Sequence, residues 1–158
     1  MKKTRVYIDG YNLYYGLLKG TPWKWLDLEL FSKGLLNPDH EIVSIVYFTA
    51  PVKTHPHDPA ALVNITVTML LDAVRTDTES FALITGDSDQ VGAIEALRYE
   101  LGKSVLVFNP HAGLSQHLKR AASYYKNIPR DLPARCQLPD EIPVGTHGNV
   151  IRRPAAWK

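Results

Sequence analysis

Cysteine is almost missing from this chain. Cys136 is its one thiol, so no internal disulfide can form and the sequence suits a reducing compartment. Also missing is any run approaching the ~20 apolar residues needed to cross a bilayer. The opening Met1-Lys2-Lys3-Thr4-Arg5 is basic, as a secretory leader would be, but Asp9 and Asn12 interrupt the apolar stretch that would have to follow. Together these absences lead us to expect a cytoplasmic protein with no membrane partner. Charge of one sign is scarce: 18 basic against 16 acidic residues give a net charge of +2, which neither announces nor repels a nucleic acid. Neither a G-x-x-x-x-G-K-[ST] loop nor a G-x-G-x-x-G turn occurs, so the phosphate cradle of a nucleotide-cofactor enzyme is lacking. Ser88 sits in no G-x-S-x-G elbow and no histidine follows at a telling place, which excludes a serine hydrolase. Internal repeats and biased tracts are absent too. At 158 residues the chain favours one domain, and a domain of that size buries roughly 70% of the surface its unfolded chain exposes.

What is present is an alternation of strand and helix patterns. Residues 5–9 (RVYID) predict a strand and Asn12 to Leu18 a short helix. Asp27 to Leu35 predicts a second helix, with apolar Leu28, Leu30, Phe31 and Leu35 on its inner side. Glu41 to Ala50, rich in Val, Ile, Tyr and Phe, predicts a strand. Pro51 to Pro59 holds three prolines and reads as a loop. Val63 to Arg75 begins like a strand, but Val63, Val67, Leu70, Leu71 and Val74 recur at helical spacing, and a helix is expected. Phe81 to Thr85 predicts a strand, Gln90 to Leu101 a helix, Ser104 to Phe108 a strand, and Ser115 to Tyr124 a helix capped by Ser115. This order argues an α/β fold, a central mostly parallel sheet of four or five strands in a three-layer α/β/α arrangement. Residues 1–128 form the domain, and the proline-rich 129–158 is expected to be a tail of loop or partial disorder.

Chemistry concentrates at two predicted strand ends. Asp9 closes the first strand, with Asn12 one turn later. Thr85-Gly86-Asp87-Ser88-Asp89 follows the strand over 81–85. In open α/β sheets ligands collect at this carboxyl edge. If the two strands are neighbours, Asp9, Asp87 and Asp89 converge on one rim, and three close carboxylates repel unless protons or a cation neutralise them. Hard oxygen donors of this kind suit Mg²⁺ or Mn²⁺, which can activate water and stabilise charge on a phosphodiester under attack. Turn-forming and helix-capping roles for the same residues remain the competing reading. Tyr14, Tyr15, Trp23 and Trp25 lie near Lys19 and Lys24. They could stack single-stranded bases at about 1–3 kcal/mol per base, or pack on the sheet or a partner chain. His55 and His57 lack a partner ligand at recognised spacing and read as loop residues, and Lys119, Arg120 and Lys126 as a solvated face.

Three stretches make a more specific resemblance: YIDGYNLYYGL (7–17), LITGDSDQVGAIEALRYELGKSVLVF (83–108) and SQHLKRAASYYKNI (115–128). In this order they resemble the NYN domain family of the PIN-like nuclease superfamily, whose bacterial members include the LabA-like proteins. The family pattern is a strand followed by D-x-x-N, a strand followed by [ST]-G-D-x-D, and a serine-led helix after the last strand. The resemblance implies a metal-dependent ribonuclease with Mg²⁺ or Mn²⁺ as cofactor and RNA, single-stranded, as partner; a homodimer is compatible with it. Residue by residue it implies Asp9, Asp87 and Asp89 as metal ligands and, with Asn12 orienting a water or phosphate, as the catalytic set. Asn64, Ser88 and Ser115 are the candidate substrate contacts, Ser115 because helix-start N–H groups attract phosphate. The chain departs from the pattern at Leu62, which stands where an aspartate of K-x-x-D-V-N is expected, and in the short 51–62 connection. Those departures support an alternative, a domain of this fold that binds RNA or a protein without cutting. A metal-dependent phosphatase acting on small phosphomonoesters is the third reading. Asp72, beside an apolar helix face, reads as structural.

Overall fold

A computed structural model describes residues 1–49, 59–146 and 148–157, the side chains of 59–63 excepted. Its centre is a sheet of five parallel strands: β1 (Lys2–Asp9), β2 (His40–Phe48), β3 (Ser80–Ile84), β4 (Ser104–Asn109) and β5 (Tyr124–Asn127), in the order β2-β1-β3-β4-β5. From β1 the chain first steps outward to β2, then crosses back to β3 and continues the other way. The reversal lies between β1 and β3, the position where open α/β sheets place their ligand crevice.

Both faces of the sheet are covered, which is why β3 (SFALI) is buried at every residue. Alternate side chains go to opposite sides. Tyr7, Phe81, Leu83, Val105 and Val107 meet α3 (Pro59–Arg75), α4 (Val91–Glu95) and α5 (Gln116–Ala121). Val6, Ile8, Ala82, Ile84 and Phe108 meet α1 (Gly10–Leu13), α2 (Leu28–Leu35) and α6 (Leu132–Arg135). The two cores together fix the strand register, since a slip by one residue would exchange the two sets. Two helices run on into wider turns: Lys19 N–H bonds the Tyr14 carbonyl (2.7 Å) and Leu101 N–H that of Ala96 (3.2 Å), each five residues back. Among the described residues, no helix is long and apolar enough to cross a membrane.

The three-layer expectation holds, with four corrections. Leu30, expected on the inner side of α2, is 46% exposed, and Phe31 is the side chain of that set that is fully buried. α3 is a helix as expected, but its inward residues are Ile65, Met69 and Ala73, while Val67, Leu71 and Val74 are 47%, 38% and 64% exposed. The helix is apolar on more than one side, so periodicity alone does not choose the buried face. The helix over 115–124 stops at Ala121, and Tyr124–Asn127 pairs with Leu106–Asn109 as a fifth strand. Finally, residues 129–158 are not a plain loop. Leu132 and Cys136 enter the core beside Phe31, and β6 (Glu141–Val144) and β7 (Asn149–Arg152) form an antiparallel hairpin. That segment is tied back to the domain. Trp25 Nε1 donates to the Pro139 carbonyl (2.8 Å), Arg153 donates to the Pro22 carbonyl (2.7 Å), and the Trp25 and Trp157 rings meet at 6.0 Å. Of the short 51–62 connection, residues 51–58, with His55 and His57, lie outside the described residues, 59–62 open α3, and the side chain of Leu62 is not described.

Asp72 has the structural role expected of it. Its carboxylate accepts from the buried Tyr7 hydroxyl (2.7 Å) and from Arg5 (3.4 Å), anchoring α3 to β1. Burial first, then hydrogen bonding to Asp72, pushes the Tyr7 phenol well above its ordinary value. The folded protein therefore keeps a proton that the unfolded chain releases near pH ~10. The contribution of this phenol to stability is accordingly full below pH ~10 and is lost as pH rises beyond it. Chemical denaturation across that range should show the decline. Tyr7→Phe should lower stability at neutral pH by about 1–2 kcal/mol and make the alkaline decline shallower.

Candidate active site at the carboxyl edge

Asp9 ends β1 and caps α1. Its Oδ1 accepts the Asn12 backbone N–H (3.0 Å), and its Oδ2 accepts from Asn12 Nδ2 (2.6 Å) and the Thr85 hydroxyl (3.2 Å). The D-x-x-N spacing thus does two things in one turn, since Asn12 supplies both a main-chain and a side-chain donor to the same carboxylate. Only 8% of Asp9 is exposed, and a carboxylate so placed needs such donors. Thr85, wholly buried just past β3, donates to Asp9 and accepts the Asp87 N–H (3.1 Å). Asp87 in turn caps the turn after it, accepting the Asp89 N–H (2.9 Å). One hydroxyl therefore joins the two strand ends that flank the topological reversal.

A third strand end enters from β4. Asn12 Oδ1 accepts from Gly86 N–H (3.2 Å) and contacts His111 Nε2 at 2.9 Å. Asn109, the last residue of β4, accepts the His111 N–H (2.9 Å) and donates to the Tyr125 hydroxyl (2.8 Å). Asn127, paired with Asn109 in register, donates to the His111 carbonyl (2.8 Å). On the far side, Tyr47 stands beside Gly10, where a Cβ would fall 2.5 Å from its hydroxyl. Burial, and secondarily the Asp9 carboxylate, push the Tyr47 phenol upward.

Of the residues picked out from sequence, Asp9, Asn12 and Asp87 belong to this connected network. Ser88 and Asp89 are exposed in the turn that follows, and Asp89 joins through its backbone N–H. Among the described residues, no group of three or more His, Cys, Asp or Glu side chains is arranged to hold a metal ion. Asn64 is exposed on α3, where its carbonyl accepts the Thr68 hydroxyl (2.7 Å). Ser115 caps α5 through the Leu118 N–H (3.4 Å), while its own N–H is already donated to the Tyr125 hydroxyl (3.1 Å). Trp23 packs on the core and Trp25 on the C-terminal segment, whereas Tyr14 and Tyr15 remain exposed beside Asn12. Their rings meet at 5.0 Å edge to face, Tyr11 lies 4.4 Å from Tyr15, and Lys19 Nζ sits 4.9 Å over the Tyr15 ring. Sequence reasoning missed His111, Asn109, Asn127 and Tyr47. The signal for His111 was present, because Phe108-Asn109-Pro110-His111 is a third strand end carrying polar residues at the same edge.

The sequence profile of the NYN domain family matches residues 40–129, more than half of the chain. The chain belongs to the NYN domain family. The match contains Asp87, Asp89 and His111; Asp9 and Asn12 precede it. NYN domains are generally nuclease-like in fold. Among curated proteins, the 6-hydroxy-3-succinoylpyridine 3-monooxygenase HspA of Pseudomonas putida is 49% identical over 65 residues, which is 32% of this chain and 21% of that protein. The chain thus spans about a fifth of that relative's length. Among solved structures, a protein of unknown function from Vibrio parahaemolyticus superposes with a TM-score of 0.59 at 18% identity, covering 82% of this chain and 94% of that one. At that identity the likeness concerns the fold.

The junction leaves no room at Gly86, where a Cβ would fall 2.7 Å from Asn109 Oδ1 and closer still to the His111 ring. Both neighbours are held by the network. Gly86→Ala should therefore cost about 1–3 kcal/mol in urea denaturation, with Gly92→Ala, which meets nothing within 4 Å, as the tolerated control.

Proposed function

We propose that this NYN domain, of the LabA-like branch, is a metal-dependent ribonuclease acting on single-stranded RNA at the carboxyl edge. The observation that carries this reading is the Thr85 hydroxyl joining Asp9 to the Asp87 turn at the sheet's reversal point. The donor chemistry fits a hard cation: Mg²⁺ and Mn²⁺ are commonly held by one or two carboxylates, with water and substrate phosphate completing the shell. Asp9 and Asp87 would hold the ion, with Asp89 nearby to add negative charge. When bound, it would supply positive charge to the phosphodiester and lower the pKa of the attacking water.

The chain's own part is orientation. Asn12 and Thr85 fix both oxygens of Asp9, so that carboxylate meets a substrate in one pose and pays little reorganisation. Tyr14, Tyr15 and Lys19 offer ring faces and a cation next to Asn12, a surface suited to unpaired bases and their phosphates. Leu62, where the family pattern has an aspartate, favours a second reading, an RNA-binding domain that does not cut. The Pseudomonas relative is named for a pyridine oxygenation, and 21% of its length carries no activity across.

The test is cleavage of a labelled single-stranded RNA with Mn²⁺, beside EDTA and Asp87→Asn controls. Asp87 is the better target because it is half-buried and its capping Oδ1 survives the change, whereas Asp9 is enclosed by three donors. Cleavage that vanishes in both controls is the expected result; binding without cleavage selects the second reading. Tyr15→Ala should weaken binding of the same RNA by about 1–3 kcal/mol, read by fluorescence anisotropy.

A further inference from the structure

We infer that His111 is a positioning residue of this site, one that donates from Nε2 and locks the Asn12 carboxamide onto Asp9. The inference deepens the proposed function and rests on it only for its kinetic consequence. A carboxylate accepts hydrogen bonds and does not donate them, so the Asn12 atom 2.6 Å from Asp9 Oδ2 is the NH₂ group. The carboxamide oxygen then faces Gly86 N–H and His111 Nε2. That oxygen can only accept, and the His111 nitrogen 2.9 Å away must therefore carry a proton. The order of donors runs one way, from His111 to Asn12 to Asp9.

The imidazole is built into its place. A Cβ on Gly86 would press on the ring from one side, and a Cβ on Gly16 would stand 3.1 Å from Nδ1 on the other. Two glycines make the slot that the ring fills. Its backbone is pinned at both polar groups, the N–H by Asn109 (2.9 Å) and the carbonyl by Asn127 (2.8 Å). The preceding Pro110 carbonyl is held by Arg130 (3.0 Å), which also donates to the Gly16 carbonyl (2.6 Å). The ends of β4 and β5 and the widened turn after α1 thus combine to aim one nitrogen. Without that donor the Asn12 amide could rotate, presenting its oxygen to the Asp9 carboxylate.

Two measurements test this. In long-range ¹H–¹⁵N spectra of the histidine-labelled full chain, assigned by loss of one signal in His111→Gln, the neutral His111 ring should be the single Nε2–H tautomer. Asn12→Ala should abolish that fixed state. A His111 ring averaged between tautomers, or protonated at Nδ1 alone, overturns the proposal. This readout needs neither metal nor RNA, so it stands or fails independently of whether the chain is a ribonuclease. In the cleavage assay, His111→Phe fills the slot without a donor and should lower kcat by about 10–100-fold with little change in KM. His111→Gln, which keeps an N–H donor, should recover most of that loss. Equal kcat for wild type and His111→Phe overturns the kinetic role, as does a Gln variant no better than Phe at equal folded content.

Discussion

A carboxylate buried at the end of a parallel strand has to be surrounded by donors, and most of the site's local structure follows from meeting that demand at Asp9. The Asn12 backbone is used because the chain turns into a helix there. The Asn12 side chain is used because the same turn aims it back. Thr85 is used because β3 lies beside β1 and ends one residue earlier in the paired register. Had β1 ended in an apolar residue, Asn12 Nδ2 and the Thr85 O–H would each lose their acceptor, while the acceptor sides of both residues would keep Gly86, His111 and Asp87 as partners.

The polar residues at the sheet's carboxyl edge act together. Asp9, Thr85, Asn109 and Asn127 stand at or just past the ends of four strands, and each bonds a neighbouring loop or side chain. Apolar side chains hold the two faces of the sheet against their helices. Along the edge, hydrogen bonds replace that packing and set the loops in fixed positions. The glycines at 10 and 86 belong to the same economy of space, each standing where a neighbour's ring or backbone comes too near for a Cβ, and at Gly16 a Cβ would be tight against Pro110 and His111.

How much of this was readable in the amino-acid order varied with the range of the interaction. Asp9 to Asn12 is local, and D-x-x-N after an apolar run announced the capped strand end. TGDSD after β3 announced the second. The α/β class followed from the alternation of periods. What failed depended on distant pairing. Tyr124–Asn127 continues a helical pattern locally, and becomes a strand because β4 offers a free edge. α3 is apolar around too much of its circumference for its inward side to be read off. His111 lies ninety-nine residues from Asn12, and nothing local says that the β4 loop returns to the first helix.

The strand order also has a consequence for the growing chain. Synthesis delivers β1 first, yet its place is between β2 and β3, so Asp9 waits for Thr85 to complete its donors. Asn12 waits longer, for Gly86 and then His111, and His111 is not held at its carbonyl until Asn127 has arrived. Contacts so far apart in sequence are slow to form. A nascent chain released short of residue 127 therefore carries the acids but not the frame that orients them, and the carboxyl edge matures only when the last strand of the sheet is laid down.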